Sequence, residues 1–384
     1  MADADSNASA VRQPKRRRER RGGSLARVFL DWRALLGIAI SFGLLYYAFR
    51  DEDLGLIASE IRRADPLLLL IATALATFIF WIRAWRWRAI LEPVSKNTTF
   101  RSRFAGVTIG AMGNNLLAAR AGEFARAYAF SRMEPVSIVA SFSSLVIERL
   151  FDGIFLVVFL FLAMTLPGFP PFQVSGDVPY VTGARILIFL IALTFGSLFL
   201  MALWPDRFVA RFEAVITRIL PAKLRRPIID ALEAFLVGVS SLRDPKLILR
   251  ATFWSAVVWT VNALGFWVAF HAFGMDLPLS AGLFFTSCIS LAVSAPSGPG
   301  FIGVYQAAAE FVLVTLWGQE AAKALALSIG FYISAFIPVT LIGLFYAYRL
   351  GLTLSRVART EEAVEVAVER ETGVDAEHPR KPAD

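Results

Sequence analysis

Leu291-Ala-Val-Ser-Ala-Pro-Ser-Gly-Pro-Gly-Phe-Ile-Gly-Val-Tyr-Gln-Ala307 lies between apolar runs and is itself mostly apolar. Yet Pro296, Gly298, Pro299 and Gly300 interrupt any helix drawn through it. Proline removes an amide donor and clashes with the preceding turn, and glycine adds backbone freedom. In hydrocarbon, non-helical backbone survives only where protein buries it or where it lines a wet cavity. Broken helices at membrane depth recur in transport sites. The rest of the chain reads as built around this break.

Composition supports a membrane setting. Of 384 residues, 57% are hydrophobic and 18% charged, with mean hydropathy +0.59. A soluble chain is nearer 45–50% apolar, with about 25% charged. Repeated apolar runs make this an all-α polytopic membrane protein. The single cysteine, Cys288, excludes an internal disulfide. His271 and His378 lie far apart, so neither a metal site nor a cofactor is expected.

Basic residues set the topology. The polar stretch 1–32 carries Lys15 to Arg18, Arg20 and Arg21 and reads as a disordered cytoplasmic tail. Nothing accompanies it that would suggest nucleic-acid binding. No small-residue cleavage site follows the first apolar run, Ala34–Phe49, so a signal peptide is not expected. A second run from Pro66 ends in Arg83-Ala-Trp-Arg-Trp-Arg88, which reads as an interfacial belt. Further spans are expected at Pro135–Leu166, Ile186–Trp204, Ala251–Phe273 and Ala324–Tyr348. Residues 206–245 are basic, with two amphipathic helical patterns that suit the cytoplasmic membrane surface. The stretch 351–384 is acidic and reads as a flexible cytoplasmic tail.

Residues 104–133 then fit a hairpin that enters from and returns to the cytoplasm, and 277–317 one that enters from outside. This gives six full spans plus two re-entrant hairpins, related as an inverted repeat. Both termini are cytoplasmic in this arrangement, and the two hairpin tips meet near the midplane. Ten full spans is the competing reading, but arms of about 16 residues are short for complete crossings.

Ionisable groups inside these spans mark a candidate site, since each costs about 2.5–3.5 kcal/mol to insert. Glu148 and Asp152 share a helix face, with Arg149 about 100° round. Glu123 and Arg126 are spaced to pair within their hairpin. Asn114, Asn115 and Arg120 stand near its tip. The arginines suit an anionic headgroup. A closed ion-pair network that merely pins helices is the alternative. At the second break, Pro299, Gly300 and Gly303 permit close backbone approach, and Tyr305 and Gln306 offer neutral polar groups.

Four pieces together resemble the transmembrane, flippase-like domain of lysylphosphatidylglycerol synthases, over roughly residues 33–350. They are Arg83–Arg88, Asn114–Arg126, Glu148-Arg-Leu-Phe-Asp152 and Pro296–Gln306. The resemblance implies movement of a phospholipid or lipid-linked headgroup between leaflets. Two positions depart from the family's Pro-Gly-Gly-x-Gly-x-x-Glu: Phe301 replaces a glycine and Gln306 the glutamate. The family's soluble synthase domain is not expected, because about 35 residues follow the last span. The expected partners are a membrane phospholipid or lipid-linked substrate. A homodimer and a separate lipid synthase or glycosyltransferase are left open. The alternative function is a non-transporting subunit that scaffolds or regulates such an enzyme. No nucleophile–base pair or phosphate loop is evident, so the chain is not expected to be an enzyme.

Overall fold

The computed structural model describes residues 32–117, 121–170, 244–294 and 297–360, with 363, 364 and 367. Arg120, Pro296, the expected span Ile186–Trp204, the amphipathic stretch 206–245 and the N-terminal tail lie outside these residues or on their edge. All regular structure among the described residues is helical.

In chain order the helices are α1 (Trp32–Phe49), α2 (Leu54–Arg63), α3 (Pro66–Leu91), α4 (Phe100–Leu116), α5 (Ala121–Ser131) and α6 (Ile138–Thr165). Then come α7 (Pro245–Ala272), α8 (Leu279–Ala292), a 3₁₀ turn (Pro299–Phe301), α9 (Val304–Glu310), a π-helical stretch (Phe311–Leu316), α10 (Ala321–Arg349) and the short α11 (Leu354–Val357).

Polar caps fix where several of these helices start. Asp65 accepts from the Leu67 and Leu68 amides, with Pro66 in the first turn of α3. Asp244 accepts from Lys246 N ahead of Pro245. Thr99 and Ser137 cap α4 and α6 in the same way. Proline at the first helical position forgoes a donor that had no partner anyway. The Asp244 cap starts α7 six residues before Ala251, where hydropathy alone begins the span. α2 has no counterpart in the sequence reading. It is a short amphipathic helix that buries Ile57 and leaves Leu54 and Leu56 exposed.

Four helical stretches are long and apolar enough to cross a membrane: Pro66–Leu91, Pro245–Ala272, Pro299–Leu316 and Ala321–Arg349. α6 matches them in length, at 28 residues, but carries Glu148, Arg149 and Asp152. α5 has 11 residues, roughly 16 Å at about 1.5 Å per residue, against a hydrocarbon core of about 30 Å. It folds back along α4, and Gly122 N donates to Asn114 Oδ1 at 3.0 Å.

The packing pairs off. α3 crosses α7 over a long interface. α4 packs on α3 and α10, while α8 packs on α7 and α6. α5 packs on α6, and α9 on α10. These contacts of α3–α6 thus have counterparts among α7–α10.

At the break, Gly298 leads into the turn, Pro299 is its first residue, and Gly300 sits at φ 66°. A methyl on Gly300 would lie 2.6 Å from the Tyr332 hydroxyl and 3.1 Å from the Asn115 carbonyl, so the break packs against the end of α4 there. Gly303, expected to face the opposite hairpin, instead meets α1 at the Ser41 backbone. Ser41 Oγ also accepts from Gly298 N at 2.9 Å. The first helix therefore closes one side of the break.

Candidate functional site

α3 delivers arginine inward at helical spacing. Ile79, Ile82, Arg86 and Ile90 are buried together, Arg86 completely. The run Arg83–Arg88 is therefore not simply a belt. Arg88 and Trp81 face outward, while Trp87 is buried and donates to Ser144 Oγ at 2.9 Å. The inward stripe was legible in the spacing, but the alternating Trp and Arg masked it.

Arg86 holds both carboxylates of α6. Its Nη2 lies 2.8 Å from Glu148 Oε1 and its Nη1 2.5 Å from Asp152 Oδ1. Arg126 of α5 grips Glu148 with both terminal nitrogens, at 3.0 and 2.8 Å. Its guanidinium also stacks 3.9 Å above the Trp87 ring. Arg149 joins from its own helix, 3.0 Å from Glu148 and 3.2 Å from Asp152. Trp259 of α7 donates to Asp152 Oδ1 at 3.1 Å.

This is a closed network that ties α3, α5, α6 and α7 together. Glu148 is wholly buried, so it lines no open cavity. The expected Glu123–Arg126 pair is replaced: Arg126 turns to Glu148, and Glu123 lies 3.9 Å from Arg149. Spacing of three residues permits a pair within a helix, but the stronger bidentate partner on α6 wins.

A cleft of about 220 Å³ lies beside the network. Five elements supply its polar lining: Arg83 from α3, Asn115 from α4, Asn262 from α7, Tyr305 from α9 and Tyr332 from α10. Ile79, Phe80, Phe266, Phe331, Phe336 and Val339 make much of the remaining wall. Such a mixture, mostly apolar with a few convergent polar groups, is the usual make-up of a ligand site.

The polar groups differ in how they are engaged. Tyr332 donates its hydroxyl to the Gly300 carbonyl. Asn115 Nδ2 donates to Thr340 Oγ1 at 2.8 Å. Arg83 Nε is buried without a hydrogen-bond partner, as are the Nε atoms of Arg86, Arg126 and Arg149, but unlike those three Arg83 pairs with no carboxylate among the described residues. The Asn262 carboxamide and the Tyr305 hydroxyl also make no hydrogen bond with described residues.

Of the residues singled out by sequence, Asn115 and Tyr305 stand in the cleft. Pro299 and Gly300 form the turn at its edge. Asn114 is spent on the Gly122 amide. Gln306 is buried, and its Oε1 accepts from Gly303 N at 2.7 Å, capping α9 instead of facing the cleft. Sequence reasoning missed Arg83, Asn262 and Tyr332. Asn262 carried a signal, as a lone carboxamide in the middle of an apolar span. Tyr332 carried none.

A family model described as the lysylphosphatidylglycerol synthase TM region matches residues 34–343. A protein named glycosyltransferase AglD, from Haloferax volcanii, is 25% identical over 338 residues, which is 81% of this chain and 53% of that protein. The chain therefore spans about half the length of that relative. A UPF0104 membrane protein of Methanothermobacter thermautotrophicus is 25% identical over 241 residues, 59% of this chain and 68% of its own. Another UPF0104 membrane protein, from Methanocaldococcus jannaschii, is 28% identical over 170 residues, 44% of this chain and 48% of its own.

Proposed function

Since the chain belongs to the lysylphosphatidylglycerol synthase TM-region family, we propose that it moves a phospholipid or lipid-linked headgroup between membrane leaflets. The headgroup occupies the cleft between α3, α7 and α10, and the acyl chains stay in the bilayer. One observation carries this reading. Arg83, Asn262 and Tyr305 converge on a cleft among apolar helices, Arg83 over the Phe80 ring and without a described carboxylate, Asn262 and Tyr305 without a hydrogen bond to a described residue. Polar groups at membrane depth usually face a cavity or a substrate path.

In this reading the two hairpins are re-entrant. The shortness of α5 and the irregular backbone at Pro299–Phe301 support that. The paired packing of α3–α6 and α7–α10 supports an inverted repeat. Basic loops place both termini in the cytoplasm. The protein acts as a transporter and catalyses no covalent step.

The relative named as a glycosyltransferase favours a second reading. The chain would then be a membrane module that supports a separate glycosyltransferase or lipid synthase. A leaflet assay separates the two. Purified protein is reconstituted into liposomes with a fluorescent phospholipid, and the fraction accessible to an external quencher is followed. Transport predicts exchange faster than in protein-free liposomes, slowed by Asn262→Leu. Exchange no faster than in protein-free liposomes refutes the transport reading.

A further inference from the structure

Among the described residues the charges around the cleft do not balance. Four guanidiniums meet at this level, those of Arg83, Arg86, Arg126 and Arg149, and three carboxylates, those of Glu123, Glu148 and Asp152. Arg86, Arg126 and Arg149 all reach carboxylates. The surplus positive charge therefore falls on Arg83, the arginine that lines the cleft. It lies one turn before Arg86 on the same helix, so the fixed network behind it cannot lend it a carboxylate without orphaning another arginine.

We infer that the cleft binds a phosphodiester carrying one net negative charge, with Arg83 as its counter-ion. This rests on the lipid-transport reading for its setting and goes beyond it in naming the headgroup class. A phosphodiester has two non-bridging oxygens that share one charge and accept hydrogen bonds. Arg83 supplies a planar fork suited to such oxygens. The Asn262 carboxamide and Tyr305 hydroxyl line the cleft beside it and make no hydrogen bond to a described residue. Phe80, Ile79 and Phe266 give an apolar wall for the glycerol and the first methylenes. Among the described lining residues no carboxylate is present, so nothing there receives a cationic aminoacyl group. The capping role of Gln306 points the same way, because the family's glutamate position faces the backbone of Gly303.

The test uses the full chain, purified and offered equal amounts of phosphatidylglycerol, phosphatidylethanolamine and lysylphosphatidylglycerol. Their net charges are negative, zero and positive. Retained lipid is counted by native mass spectrometry. The wild type should retain phosphatidylglycerol over lysylphosphatidylglycerol by about tenfold or more, the scale of one charge-assisted contact. Arg83→Gln should erase that preference, Arg83→Lys should keep most of it, and Arg88→Gln on the outer face should leave it unchanged. Asn262→Leu should weaken retention of all three lipids, and it keeps the test open if Arg83→Gln does not fold. Glycerol phosphate added in solution distinguishes sources: displacement by it alone shows that the phosphate group suffices, and resistance shows that the lipid body contributes.

Equal retention of the three lipids, a preference for lysylphosphatidylglycerol, or an unchanged preference in Arg83→Gln would overturn the inference. Failure of the transport reading looks different. There, phosphatidylglycerol is retained in an Arg83-dependent way but does not change leaflet in liposomes. Leaflet exchange without any Arg83-dependent preference leaves transport standing and removes the phosphodiester site.

Discussion

Replacing Glu148 with Gln should destabilise the bundle instead of silencing it. Among the described residues Arg126 has no other carboxylate, and Arg86 would retain Asp152 alone. Both arginines are almost fully buried. Removing one partner of a buried ion pair costs about 3–5 kcal/mol, because the remaining charge is left uncompensated. At about 2 °C per kcal/mol for a large domain, that is a loss of about 6–10 °C in detergent. Arg126→Gln alone should cost less, since Glu148 keeps Arg86 and Arg149. The double variant Glu148→Gln/Arg126→Gln removes both the anion and the arginine it stranded. It should therefore melt above the sum of the two single losses, with a coupling of about 1–3 kcal/mol. Thermal unfolding of the four proteins, followed by fluorescence-detected size exclusion, gives the cycle. A Glu148→Gln protein that melts with the wild type, or a double variant at the plain sum, would refute the reasoning.

Gly300→Ala should cost at least about 1–2 kcal/mol, since it places a side chain in the left-handed region and against the Tyr332 hydroxyl; unchanged melting would show that the turn relaxes freely. Phe301 itself stands at φ 60°, so Phe301→Gly should relieve about 1 kcal/mol of strain and melt no lower than wild type, and a lower melting point would contradict this. In the loop between α5 and α6, burial works against the Glu134 carboxylate, but hydrogen bonds from Thr99 N–H, Ser102 and the Thr99 hydroxyl at the start of α4 and the charge of Arg103 outweigh it and hold its pKa below the usual value. A lowered pKa stabilises the fold above the ordinary carboxylate range, so the melting difference between wild type and Glu134→Gln should be present at pH 7 and fade below about pH 4; a difference independent of pH would contradict it. Cysteines introduced at Ser175 and Arg225 in a Cys288→Ala background should label from opposite sides of the membrane, and same-side labelling would remove the proposed topology.

Much of this architecture is written in the sequence, because hydropathy and helix breakers act locally. The long spans are visible as apolar runs, and the break as Pro299 beside Gly300. Partner choice was not visible in the same way. Glu123 and Arg126 have the right spacing to pair, and nothing local says that Glu148 will take the arginine. Arg83 and Arg86 sit in one Trp/Arg run, and only the packed bundle shows that, among the described residues, Arg86 meets carboxylates and Arg83 does not. Gln306 was misjudged for a related reason. A carboxamide three residues after a glycine can cap a helix start as readily as it can meet a ligand, and the backbone settles which.

The contact between Ser41 and Gly298 spans 257 residues. Its consequence concerns the order in which the protein is assembled. α1 leaves the ribosome ahead of every other described helix, but its seat is a turn made far later. Until that turn arrives, the Ser41 face has only lipid or provisional neighbours against it. The turn, in its own moment of insertion, finds the hydroxyl that accepts its amide already in the membrane. An early helix thus waits for a turn made 257 residues later.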